Sequence, residues 1–155
     1  MNLPRTILLA TAILLLSARA TASPAVEEAA KRFYASAKWQ GRSVVEGNFS
    51  CSGRKEQAIL GTSETEIVVA VFIRGLSRKP ELLRFSAKAR SAESAVLTTE
   101  DLDFKIAEFE REVGNVPPGL RPSKSCLGLN VSDQLIDSAH IYWDRKAGRF
   151  KSWSR

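Results

Sequence analysis

The fold of this chain is decided by the run Ile67-Val68-Val69-Ala70-Val71-Phe72-Ile73. Seven apolar residues without polar alternation are typical of a β-strand that is covered on both faces. If it were exposed, such a segment would promote aggregation, so the rest of the chain must supply the layers that cover it. The run therefore predicts a central strand.

The segments before this strand predict a helix and two further strands. A Ser23-Pro24 start and apolar residues at helical spacing indicate a helix that extends to about Ala37. β-branched and apolar residues follow at 43–49 and 57–61, with turn residues between them. The central strand therefore has partners on its N-terminal side.

After the central strand, the pattern is less uniform. Residues 83–90 alternate between apolar and polar side chains, which predicts a strand with one basic face made of Arg84, Lys88 and Arg90. Residues 98–113 fit either a helix that Thr98 caps or a strand, and we favour the helix. Residues 114–125 contain three prolines, so we expect an ordered loop there.

The C-terminus predicts a β-hairpin, because strand-like residues at 140–144 and 149–153 flank a four-residue connection. If Asp144 pairs with Arg149, one face of the hairpin joins the core and the other points outward. A register slip of one residue would exchange the two faces, and a further helix or loop could also cover the outward one. The core face carries Ile141, Trp143 and Phe150, and the outward face carries His140, Tyr142, Lys151 and Trp153.

The first 22 residues resemble a cleavable secretory signal peptide. Arg5 precedes a ten-residue apolar run, and the segment ends in Ala20-Thr21-Ala22, a typical cleavage site. A bilayer-spanning helix needs about 20 apolar residues, so a retained anchor is the less favoured alternative. We expect a domain of residues 23–155 that is exported to the periplasm or secreted.

Two cysteines, Cys51 and Cys126, remain in the exported part. In an oxidising compartment they predict one structural disulfide, because redox-active pairs usually lie close together in sequence. The fold class that we predict is α+β. It consists of an N-terminal helix on a mainly antiparallel sheet of six to seven strands, closed by the C-terminal hairpin.

The charge of the chain favours anionic partners but identifies none. Because the first 22 residues hold two arginines and no acid, their removal lowers the formal net charge from +6 to +4. Such an excess suits an acidic protein face or an anionic envelope component. Nucleic-acid binding is disfavoured by export and by the small net charge, although Arg84, Lys88 and Arg90 could contact phosphates.

Residues 48–61 locally resemble the calcium loop of integrin-alpha-type propeller repeats, known as FG-GAP repeats. That family has acids at loop positions one, three, five and nine around a glycine at six, followed by an apolar strand. Here Gly53 keeps the turn, and Glu56 is the one carboxylate among the four positions, the others being Asn48, Ser50 and Ser52. Calcium sites need several charged oxygens. The resemblance therefore implies a loop between two strands, and we expect no metal and no cofactor.

Catalytic candidates are sparse. His140 is the single histidine, and a strand histidine beside aromatic residues more often packs than catalyses. No Gly-x-Ser-x-Gly motif is present, and the acids between Glu100 and Glu112 fit a solvated face better than a glycosidase pair. We therefore expect a non-catalytic binding protein, such as an inhibitor or immunity-type protein against an envelope-acting enzyme. A small envelope hydrolase is the alternative, and a structural envelope protein is the third possibility.

Overall fold

The computed structural model describes residues 24–87, 93–133 and 138–154. The signal-like segment, Lys88 and Arg90 lie outside these residues. The described elements are, in chain order, α1 (Pro24–Phe33), β1 (Lys38–Trp39), β2 (Val45–Gly47), β3 (Glu56–Thr62), β4 (Glu66–Phe72), β5 (Glu81–Ser86), β6 (Val96–Asp101), α2 (Ile106–Val113), β7 (Leu127–Ser132), β8 (Ala139–Asp144) and β9 (Arg149–Ser154).

The strands form two antiparallel sheets. Sheet A has the order β1-β3-β4-β5, with β2 also paired to β3, and sheet B has the order β6-β7-β8-β9. The α+β class is therefore confirmed, but the expectation of a single sheet with six to seven strands is wrong. The chain crosses from one sheet to the other between β5 and β6, and no local sequence signal marks that change.

β4 is the central strand that the apolar run predicts, because it pairs with β3 on one side and with β5 on the other. Its alternate side chains point into two different clusters. Val69 and Val71 lie in the core between the sheets, together with Leu129 and Ile141 of sheet B. Each fully buried side chain of this size contributes about 1.5–3 kcal/mol.

The opposite face of sheet A is covered by α1. Val26, Ala29 and Ala30 of the helix are at most 1% exposed and share a cluster with Ile59 and Val68 of the sheet. The helix begins at Pro24, as expected, but it ends at Phe33 rather than near Ala37.

Residues 98–113, for which the sequence allowed a helix or a strand, contain one of each. Val96–Asp101 is strand β6 and Ile106–Val113 is helix α2, so our preference for a helix from Thr98 is wrong for its first part. Residues 98–101 form a strand because β6 pairs with β7 along its whole length.

The disulfide is confirmed. Cys51, in the loop between β2 and β3, is bonded to Cys126, directly before β7, with their Cα atoms 5.0 Å apart. The bond closes 75 residues of sequence and joins the two sheets at one end.

Candidate functional site

The outer face of sheet B carries the predicted hairpin residues. The hairpin register is confirmed, since Asp144 pairs with Arg149, Tyr142 with Lys151 and His140 with Trp153. On the other side, His140 pairs with Asn130 of β7. The strands therefore place a row of polar and aromatic side chains across this face.

The histidine of this row forms a close pair with a carboxylate that sequence reasoning considered only separately. His140 Nδ1 lies 2.7 Å from Glu100 Oε2, and the two side chains are 20% and 24% exposed. Asn130 Nδ2 lies 3.2 Å from the same histidine nitrogen. The Trp153 ring stacks on the imidazole, with centroids 4.2 Å apart and planes at 12°.

Burial raises the pKa of Glu100, while hydrogen bonds from His140 and Asn130 act in the opposite direction. The carboxylate holds Nδ1, so the imidazole is oriented and Nε2 is its remaining polar atom. Carboxylate–histidine pairs of this kind support general bases and metal ligands. The described residues contain no group of three or more His, Cys, Asp or Glu side chains that could hold a metal ion.

Gly128 makes the pair possible. It lies opposite Glu100 in the ladder between β6 and β7. A Cβ atom at Gly128 would come within 2.8 Å of Glu100 Cγ, so a side chain there would displace the glutamate. Gly128 was not singled out from the sequence, although a lone glycine inside a strand can mark a close approach of another group.

Tyr142 is not exposed, contrary to the expectation for the outward face. It is 3% exposed and lies in a cluster with Leu102, Leu120 and Cys126, against which Phe109 of α2 packs. The segment between β6 and β7 therefore covers this part of the hairpin. The Tyr142 hydroxyl donates a hydrogen bond to the Pro118 carbonyl at 3.0 Å, and burial raises the pKa of Tyr142.

Trp153 is covered in part. Its ring packs edge-on against Phe109, with centroids 5.5 Å apart, and Phe109 in turn contacts Phe104. Helix α2 therefore rests on the hairpin through one aromatic side chain and buries none of its own residues. Trp153 keeps an intermediate exposure, so it remains accessible at the edge of the covering segment.

A basic cleft of about 360 Å³ lies at the end of the hairpin. It is bounded by the hairpin turn and by the loop of residues 114–125, which we call the proline loop. We define the basic cleft by the residues that line it. Pro118 and Gly119 form one wall, and Asp144 is the single acid. Its cations are Arg121, Arg145, Lys146 and Lys151. Among the expected site residues only Lys151 is a lining residue, and the turn and loop cations were missed because nothing local shows that they converge.

Asp144 fixes the floor of the basic cleft. It is 4% exposed, and its Oδ2 lies 2.6 Å from Lys151 Nζ. Its Oδ1 accepts hydrogen bonds from the backbone N–H groups of Lys146 and Ala147 at 2.9 and 3.0 Å. The Lys151 ammonium and these N–H groups hold the pKa of Asp144 at about 2, so the carboxylate is ionised under physiological conditions.

The second expected surface lies elsewhere. Arg84 is on the same face of β5 as Leu82, which packs in the cluster beneath α1, so Arg84 belongs to the outer face of sheet A. Its guanidinium lies over the Tyr34 ring, 4.8 Å from the centroid. The two candidate surfaces are therefore on opposite outer faces, and Lys88 and Arg90 fall outside the described residues.

The loop that resembles a calcium site is closed by its own side chains. Glu56 is 2% exposed and accepts hydrogen bonds from the Ser50 backbone N–H at 2.7 Å, the Ser50 hydroxyl and the Ser52 hydroxyl at 3.0 Å. Asn48 Oδ1 accepts from the Gly53 N–H at 3.0 Å, and Asn48 Nδ2 donates to the Ser125 carbonyl at 2.8 Å. This network orders the segment that carries Cys51.

Comparison with known proteins finds no matching family model, no similar curated protein and no similar solved structure. Within the described ranges, no helix is long and apolar enough to cross a membrane.

Proposed function

We propose that this protein is an exported, non-catalytic binding protein that recognises an acidic protein partner outside the cytoplasm. The form that we favour is an inhibitor or immunity-type protein against an envelope-acting enzyme. The basic cleft is the observation that carries this proposal, because it concentrates four cations and one acid on one small concave surface.

The charge of the basic cleft is largely available to a partner. Lys151 is paired with Asp144, but no ion pair involves Arg121, Arg145 or Lys146 within the residues that the structure describes. All three are exposed. Clustered cations of this kind increase the rate at which an anionic partner associates and help to fix its orientation.

The binding surface that we propose extends from the basic cleft along the hairpin. Lys151 lines the cleft, and His140 and Trp153 lie further along the same outer face. An accessible tryptophan beside cations is typical of residues that dominate binding energy in protein interfaces. Tyr142 is buried and stabilises this surface through the hydrogen bond from its hydroxyl to the Pro118 carbonyl.

Export is part of the proposal and rests on two observations. Residues 1–22 have the charge and hydropathy pattern of a signal peptide. The Cys51–Cys126 disulfide is a bond that persists in oxidising compartments and is rare in the cytosol.

One observation favours a second candidate, a small envelope hydrolase. The Glu100–His140 pair has the separation of an oriented general base, with Nδ1 and Oε2 2.7 Å apart. Such a base needs a nucleophile or an activated water, and no hydrogen bond among the described residues links His140 to a serine or threonine hydroxyl. Binding is therefore the better-supported function.

Affinity capture from an envelope extract of the source organism separates the two candidates. The immobilised mature protein should retain one stoichiometric protein, whereas the variant Arg145→Gln/Lys146→Gln should not. The control Lys38→Gln/Arg42→Gln removes the same charge from exposed positions on the sheet A side, outside the cleft, and should behave like the parent protein. No retained protein, together with turnover of a wall polymer that His140→Gln abolishes, would favour the hydrolase instead.

A further inference from the structure

The volume and the positive charge of the basic cleft suit the binding of one small anionic group. Its volume of about 360 Å³ accommodates an amino-acid side chain and is at the lower end of the range for small-molecule sites. We infer that it binds the carboxylate of a single aspartate or glutamate side chain of the partner. This inference rests on the function proposed above and specifies the chemical group that is recognised.

The donors at the mouth of the cleft suit a carboxylate. Arg145 donates one N–H group to Cys126 Sγ at 3.4 Å, which holds the side chain near the cleft and leaves its other N–H groups for a ligand. Guanidinium groups bind carboxylates through two parallel hydrogen bonds. Arg121 lines the same cleft from the proline loop, so the ligand would lie between cations of two separate segments.

Three of the four cations of the cleft remain for an entering anion. The ionised Asp144 carboxylate already occupies the floor of the cleft, where it is bonded to Lys151. An entering anion therefore interacts with the three remaining cations and is repelled by Asp144. Attraction to the cations and repulsion by Asp144 both grow with the charge of the ligand, so charge alone does not select a carboxylate over a phosphoryl group. The carboxylate follows from the acidic protein partner proposed above.

The walls of the cleft are already in place before a partner binds. Gly119 has a φ of 92°, and a Cβ atom there would lie 2.4 Å from the Asp144 carboxylate, so the loop backbone packs directly on this acid. The Pro118 carbonyl accepts hydrogen bonds from Tyr142 and, at 3.5 Å, from Lys151. Such pre-organisation reduces the entropy that the cleft itself must lose when a partner binds.

A titration of the isotope-labelled mature protein tests this inference, with N-acetylaspartate methylamide as the carboxylate probe and inorganic phosphate as the competing chemistry, both at constant ionic strength. We expect saturable shifts of the backbone amide signals of Gly119, Lys146 and Ala147 with the carboxylate probe. Arg145→Gln/Lys146→Gln should weaken that binding at least about tenfold, since the charge-assisted hydrogen bonds of both side chains are lost. Lys38→Gln/Arg42→Gln should change it less than about twofold.

Saturation by phosphate with no response to the carboxylate would overturn the inference, and so would equal carboxylate affinity of the cleft variant. If neither probe shifts the amide signals of the cleft while a protein partner is still captured, the inference fails and the proposed function stands. If the carboxylate binds as expected and no protein is captured from the envelope extract, the proposed function fails.

Discussion

The outer faces of the two sheets are covered in different ways. On sheet A, α1 seals the face with small apolar side chains that are at most 1% exposed. On sheet B, the segment of residues 102–126 covers the face incompletely, and α2 buries none of its residues. Polar and charged groups such as Glu100, His140 and Lys151 therefore stay within reach of solvent across the outer face of sheet B. The first face contributes to stability, and the second carries the surface that we propose for partner binding.

Removal of the disulfide should have the largest effect on the difference between the two faces, because the bond holds the end of the segment that covers sheet B. Replacing both Cys51 and Cys126 by serine should destabilise the fold by about 4 kcal/mol, the loop-closure value for a cross-link of 75 residues. Urea unfolding measures the loss. Hydrogen exchange should show that amides at 102–126 lose more protection than those of α1, and equal loss at both faces would contradict the comparison.

Two truncations compare the faces directly. Ile59 is fully buried beneath α1, so Ile59→Ala should cost about 3 kcal/mol in the free energy of unfolding. Trp153 is partly exposed and contacts His140 and Phe109, so Trp153→Ala should cost about 1 kcal/mol from its lost ring contacts. A larger cost for Trp153 would mean that the outer face of sheet B is a second core.

The pH dependence of stability tests the floor of the basic cleft. Asp144 has its pKa lowered from 3.8 to about 2, so its ionised form stabilises the fold above about pH 4 and this stabilisation is lost as the pH falls towards 2. Asp144→Asn should remove this part of the acid sensitivity. Melting temperatures at pH 6, 4 and 2 should therefore converge for the parent and the variant as the pH falls. A constant difference would contradict the assignment.

Glu100 should show the opposite and smaller dependence. Burial raises its pKa, so the folded state holds the proton more tightly than the unfolded state, and stability decreases as the pH rises through the range above 4.5. Glu100→Gln should remove that decrease. Gly128→Ala, which crowds Glu100, provides a second perturbation of the same site. Parallel stability curves for the parent and Glu100→Gln over pH 4–7 would show that the pair contributes no pH dependence.

The sequence predicts the local features of this fold well. The run of residues 67–73 indicates the central strand because the run lacks polar alternation. The hairpin register follows from two strand-like segments joined by a short connection. The disulfide follows from two cysteines in a chain whose first 22 residues resemble a signal peptide. Each of these depends on neighbouring residues or on a simple count.

The long-range features could not be predicted in the same way. The Glu100–His140 pair requires the ladders of β6, β7 and β8 to align, and the sequence contains no register signal between those strands. Tyr142 was expected to be exposed because the segment that covers it, residues 102–126, is not its neighbour in sequence. The basic cleft likewise combines cations from the proline loop and the hairpin turn.

The affinity of the captured partner, measured by calorimetry against matched pairs of charge variants, tests the central claim most directly. The account predicts that Arg145→Gln/Lys146→Gln raises Kd about a hundredfold or more, since two charge-assisted contacts are lost. Lys38→Gln/Arg42→Gln, with the same net charge, should stay within about threefold of the parent. Equal Kd values for the two double variants would contradict the claim that the basic cleft on sheet B recognises the partner.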